Sequence, residues 1–124
     1  VAQNFEGEAD PARMTLDMKP WTWIRAVYND GREIAPRQAE AFTLTFRADG
    51  TVAVTTDCNR MMGGYTTNGR ELTFGNMAAT RMFCADSQET EFSELLANTS
   101  SYSFMSRGEL VLQLKFDSGS VVFR

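Results

Sequence analysis

Histidine is absent from the 124 residues, and that absence excludes more than any residue present suggests. Without it there is no Ser-His or Cys-His dyad, no imidazole base near neutral pH and no imidazole metal ligand. Cysteine is scarce, at two, too few to close a structural zinc site built from four Cys and His ligands. Most hydrolase and oxidoreductase mechanisms thus lose their usual central residue. The expectation is a non-enzyme, with no cofactor and no metal. Long apolar runs are missing as well: nothing approaches the roughly 18 residues of a membrane-spanning helix, so no transmembrane segment is expected. Nor is there a basic cluster. Twelve Lys and Arg face sixteen Asp and Glu, for a net charge of −4, and only Arg25, Arg32 and Arg37 are loosely grouped. Nucleic acid, which calls for a positive footprint, is not an expected partner.

What is present suits one globular domain: 43% hydrophobic and 23% charged residues over a length that can bury a core. The sequence begins at Val1 rather than Met, so removal of an upstream segment is expected, with a signal peptide or lipid anchor as candidates for it. Residues 1–19 are polar and without periodicity, reading as an N-terminal arm or linker ahead of a domain over 20–124. Turn signals recur at Asn29-Asp30-Gly31, Ala48-Asp49-Gly50, Asn68-Gly69, Arg107-Gly108 and Ser118-Gly119. Between them lie strand-like runs at 21–28, 42–46, 51–55, 71–74, 77–83, 102–105, 110–116 and 121–123. Phe42, Leu44 and Phe46 alternate with Thr43 and Thr45, while Leu110, Leu112, Leu114 and Phe116 alternate with Val111, Gln113 and Lys115. The pairs 42–46/51–55 and 110–116/121–123 read as hairpins. The fold class that follows is mainly β (α+β), an antiparallel sheet of short strands curling towards a barrel.

One helix interrupts the strands. Asp86 with Glu89 fits a capping box that opens a helix around residues 87–98. Phe92, Leu95 and Leu96 share one face, leaving Glu89, Glu91 and Glu94 for solvent. Such a helix would cover an open face or end of the barrel.

The most distinctive stretch is TTDCNRMMGGY at 55–65. In order along the chain come Asp49-Gly50, Cys58-Asn59, Gly64-Tyr65, Leu72-x-Phe74-Gly75, Thr80-x-Met82-x-Cys84, Glu89-x-x-Phe92-x-x-x-Leu96 and Leu110-x-Leu112, after an early Trp at 21 or 23. This ordered set resembles the META domain family (HslJ-like proteins), from about residue 20 to the C-terminus. One departure is Asp57, where the family usually has Gly before Cys-Asn. The resemblance implies a barrel-like domain with a helix, in periplasmic, envelope or secreted proteins that are often lipoproteins. Some members are associated with stress, through heat shock or novobiocin resistance, and relatives in parasites with virulence. No catalytic set comes with it. The family motif positions here are Asn59, Gly64, Tyr65, Thr80 and Met82.

Against that background each candidate site has two readings. Cys58 and Cys84 are either a reactive thiol pair or a disulfide; the absence of a C-x-x-C spacing and the envelope compartment that the resemblance implies favour the disulfide. Asn59 can take a left-handed conformation and shape a turn, and Arg60 is a candidate for binding an anionic partner. Met61, Met62, Met77, Met82 and Met105 are weighed as Cu(I) ligands and assigned to core packing instead. Glu89, Glu91 and Glu94, with Asp57 and Asp86 near the cysteine strands, are weighed as the source of a glycosidase carboxylate pair, but nothing marks a buried acid. Asn98-Thr99-Ser100 is a formal glycosylation sequon. Trp21, Trp23 and Tyr102 are candidates for an exposed aromatic patch. The expectation is a non-enzymatic, monomeric binding or stress-related structural module, its partner an envelope protein or cell-surface component. The alternatives are a barrel-like carrier of a small apolar ligand and, below it, a carboxylate-dependent hydrolase.

Overall fold

Alternation of apolar and polar residues decides which face of each strand turns inward, and the inward faces here close on one another. The structure, a computed structural model, describes residues 10–124; the first nine residues of the expected arm lie outside the described residues. Nine strands follow in chain order: β1 (Trp21–Tyr28), β2 (Glu33–Ile34), β3 (Thr43–Phe46), β4 (Thr51–Thr55), β5 (Arg60–Asn68), β6 (Glu71–Ala79), β7 (Thr99–Phe104), β8 (Leu110–Leu114) and β9 (Gly119–Phe123). One α-helix, α1 (Glu89–Ala97), separates β6 from β7. Neighbouring strands from β3 to β9 pair antiparallel in sequence order, β1 pairs with β3, and β1 with β9 closes an eight-stranded barrel. The two-residue β2 adds to the second half of β1 through Ala26↔Ile34 and Val27↔Glu33. The mainly-β barrel with a helix is therefore the observed fold.

Both expected hairpins form. Leu44 faces Val54 and Phe46 faces Val52, while Leu110 faces Phe123 and Leu112 faces Val121. All eight of these residues are buried. Closure brings β9 within contact of β1, and Gly119 makes that possible: a Cβ there would sit 2.5 Å from the Val27 carbonyl oxygen. Helix α1 then plugs one end, setting Phe92 against Trp23, Phe42 and Phe123. The interior is filled by Trp21, Trp23, Phe42, Phe92 and Phe123, each at most 1% exposed. An apolar ligand carried inside the barrel would have to displace them. Ahead of β1, Leu16 is buried and its carbonyl accepts a 2.8 Å hydrogen bond from the Trp21 indole.

Several expectations need correction. Trp21 and Trp23 belong to the core rather than to an exposed patch, because both fall on the inward face of β1. The runs 71–74 and 77–83 are not two strands: β6 passes through Gly75-Asn76 unbroken and its ladder ends at Ala79. Its partner is β5, where turn-like glycines concealed a nine-residue strand. Gly63 sits there beside a bulge, where a Cβ would lie 2.6 Å from the Asn76 carbonyl oxygen. Phe116 does not extend β8; it turns to φ 60° and is exposed, so the alternation stops at Leu114. Of the methionines, Met61 and Met77 pack on the core, whereas Met62, Met82 and Met105 are exposed. Met62 and Met61 are consecutive on one strand and so face opposite sides.

Candidate functional site

The end of the barrel plugged by α1 gathers the residues of greatest chemical interest. Three segments converge there: the β4–β5 connection at 56–59, the extended 80–84 segment after β6, and the first turn of α1. Cys58 and Cys84 are joined by a disulfide, with Cα atoms 5.8 Å apart, which ties the first segment to the second. Closing a loop of 26 residues stabilises the fold by about 3.5 kcal/mol in the chain-entropy model.

Asn59 is the centre of the cluster. Its side-chain oxygen accepts from the Met82 amide at 2.8 Å and from the Thr80 hydroxyl at 2.8 Å. Its Nδ2 donates to the Met82 carbonyl at 3.2 Å and to Glu89 Oε2 at 3.1 Å. The amide thus pairs with Met82 as a neighbouring strand would, extending the β5–β6 association past Ala79. Thr80 completes the join by accepting from the Arg60 amide at 3.1 Å. Asn59 is not among the residues with positive φ, so the expected left-handed turn role is replaced by a bond spanning 23 residues.

Glu89 is the second centre. Its carboxylate accepts from the Thr56 hydroxyl (2.6 Å), the Asn59 amide (3.0 Å) and Asn59 Nδ2 (3.1 Å). It is half-buried, unlike Glu91 and Glu94, which are exposed as expected. The Asp86 capping box does not form, since Asp86 stands at φ 62°. The helix start is instead capped from outside by Asp57, which accepts from the Gln88 amide (2.9 Å) and the Ser87 hydroxyl (2.5 Å). Ser87 Oγ in turn accepts from the Glu89 amide at 3.0 Å. Helix N-termini leave amides without intrahelical partners and favour negative charge, so Asp57 meets both needs. Gln88, buried, mirrors Asn59: it donates to the Ala35 carbonyl and accepts from the Arg37 amide, fixing the loop before β3. The Arg37 guanidinium also donates to the Asp86 carbonyl.

Of the singled-out residues, Cys58, Asn59, Thr80, Met82 and Cys84 therefore meet in space. Tyr65 does not join them; it faces the other end, donating from its hydroxyl to the Arg47 carbonyl at 2.8 Å and packing on Phe46. Burial, with the Asp17 and Asp49 charges behind it, raises the Tyr65 phenol above its ordinary range. Gly64 pairs with Thr51 on the same stretch of β5. Arg60 is exposed beside Thr80, and among the described residues its side chain has no recorded hydrogen bond or ion pair. Asn98 of the sequon is exposed at the end of α1, while Thr99 is buried and donates to the Leu95 carbonyl. Sequence reasoning misses Thr56, Ser87 and Gln88, the capping role of Asp57 and the inward role of Glu89. Only the polar density around Cys58 and at 86–89 hinted at them. Among the described residues no group of three or more His, Cys, Asp or Glu could hold a metal ion.

Comparison with known proteins agrees with this picture. A family model described as META domain matches residues 14–124. The fold is similar to that of a protein from Burkholderia xenovorans studied by NMR, with a TM-score of 0.74, 24% identity, and 99% of this chain and 92% of that chain covered. It is also similar to the crystal structure of a DUF4847 family protein from Bacteroides vulgatus, with a TM-score of 0.70, 19% identity, and 87% and 92% of the two chains covered. No curated protein matches the sequence. At these identities the two solved structures speak to fold alone.

Proposed function

The chain belongs to the META domain family, and on that premise we propose that it is a non-enzymatic binding or structural module of the cell envelope, recruited as a monomer by an envelope protein or cell-surface component. The observation that carries the reading is the fate of the motif side chains. Both ends of the Asn59 amide, the Thr80 hydroxyl and the Glu89 carboxylate are committed to bonds inside the chain. A group that must bind or activate a substrate needs free valence towards a cleft; here the hydrogen bonds close on one another. The motif accordingly reads as a clasp that fixes 56–59, 80–84 and the helix start. Placement in the envelope agrees with a disulfide, which persists in oxidising compartments. No helix among the described residues is long and apolar enough to cross a membrane.

The test is crosslinking in the native envelope with the full chain, beside an assay of cell-wall glycan cleavage. A defined crosslinked partner, retained when Glu89 is replaced by Gln, supports the module. Absence of any partner, together with glycan turnover lost in Glu89→Gln, overturns it.

A further inference from the structure

The barrel is closed least firmly between β6 and β7. On its β5 side, β6 is paired over Glu71–Phe74 and again over Met77–Ala79, with a bulge at Gly75-Asn76 between the two stretches. On its β7 side the only ladder pair is Glu71↔Ser101, joined by the Tyr102 amide bonding to the Arg70 carbonyl at 2.9 Å. From Thr73 to Ala79, β6 thus offers one edge with no ladder partner among the described residues. Strand edges are normally blunted by Lys, Pro, charge, a bulge or a covering element. The run TFGNMAA carries no Lys, Pro or charge; its bulge and the flanking α1 are what interrupt the edge.

A cleft of about 320 Å³ lies against that edge. Gly75, Asn76 and Met77 form its strand wall, Ser93 and Ala97 of α1 its other wall, and Phe74 contributes apolar surface. Gly75 and Asn76 are exposed, and at Gly75, which has no side chain, the exposed surface is main chain. Exposed main chain at Gly75 thus lies beside a cleft whose apolar surface comes from Phe74 and Met77. Strand addition uses that pair of features, taking affinity from main-chain bonds and specificity from a side-chain pocket.

We propose that the open edge of β6 binds a short extended segment of a partner protein, which pairs with residues 74–77 and seats one aliphatic side chain in the cleft against α1. Glu94, exposed three residues before Ala97, puts negative charge on the helix rim. The segment favoured is therefore neutral or basic. The inference rests on the reading of the domain as a binding module and names its site.

The experiment is selection of random phage-displayed peptides of roughly eight residues, the span of a strand with its flanks, on the full chain. Enriched peptides are then synthesised and N-methylated one position at a time. A peptide bound along one edge loses about tenfold or more in affinity at alternate positions only, since alternate amides point to the sheet. Ala97→Phe fills the cleft from an exposed position and is expected to weaken binding by about tenfold with an unchanged melting curve. Backbone shift changes should centre on 74–77. Failure to enrich any peptide, an N-methyl scan without alternation, or shift changes away from β6 overturns the proposal. A chain that selects no peptide yet crosslinks to an envelope partner loses this site and keeps the module reading.

Discussion

Replacing Asn59 with alanine removes four hydrogen bonds at once: two accepted by Oδ1, from Thr80 and Met82, and two donated by Nδ2, to Met82 and Glu89. At a net ~1 kcal/mol each the loss would be about 4 kcal/mol, and water reaching the exposed Thr80 and Met82 should reduce it to about 3 kcal/mol. That corresponds to roughly 10–15 °C in melting temperature for a domain of this size. Urea unfolding with the disulfide intact is the assay, because the covalent link holds 58 and 84 together and isolates the polar term. Asn59→Asp sharpens it. The new carboxylate would stand about where Nδ2 now donates to Glu89 Oε2 at 3.1 Å, facing a like charge. Like charges raise the shared pKa in the folded state, so the folded form binds protons more tightly than the unfolded. The Asp variant should therefore be less stable than the Ala variant at pH 7 and recover relative to wild type as pH falls below about 5. Variants within about 0.5 kcal/mol of wild type, or an Asp variant whose deficit ignores pH, would refute the reasoning.

Other consequences are smaller. Asp57→Ala should cost about 1–2 kcal/mol by uncapping α1, with Asp57→Asn recovering most of it, read from urea midpoints. Gly63→Ala forces a Cβ against the Asn76 carbonyl and should destabilise by about 1–3 kcal/mol, with faster amide exchange along the β5–β6 ladder. Because the folded Tyr65 phenol ionises above its ordinary pKa, its contribution is intact below about pH 10 and lost as pH rises through the folded value. Tyr65→Phe should lower stability by about 1 kcal/mol at neutral pH and make the alkaline decline shallower, measured by melts from pH 8 to 11.

The parts of this molecule legible in its sequence are those governed by period-two patterning and turn chemistry. Leu44 with Phe46, and Leu110 with Leu112, announce their strands because one face is buried and the other wet. The helix face of Phe92, Leu95 and Leu96 is equally plain. Strand β5 is hard to see because Gly63, Gly64 and the outward Met62 blur its alternation, and the reason for Gly63 lies in close approach to β6. The clasp is less legible still. Asn59 and Met82 are named by their motifs, yet their pairing is tertiary, as are the cap that Asp57 lends to α1 and the inward turn of Glu89. A local capping box from Asp86 was the simpler reading and lost to a carboxylate 31 residues from the Gln88 amide it binds.

The claim that the motif residues are spent on holding three chain segments together is tested most directly at one amide. Met82 has an exposed side chain in a segment without secondary structure, yet its N–H donates to Asn59 Oδ1 at 2.8 Å. Hydrogen exchange followed residue by residue by NMR should show the Met82 amide slowed by about a hundredfold or more relative to its intrinsic rate, while the neighbouring Phe83 amide exchanges freely. Equal, unprotected exchange at Met82 and Phe83 in the disulfide-bonded chain would contradict it.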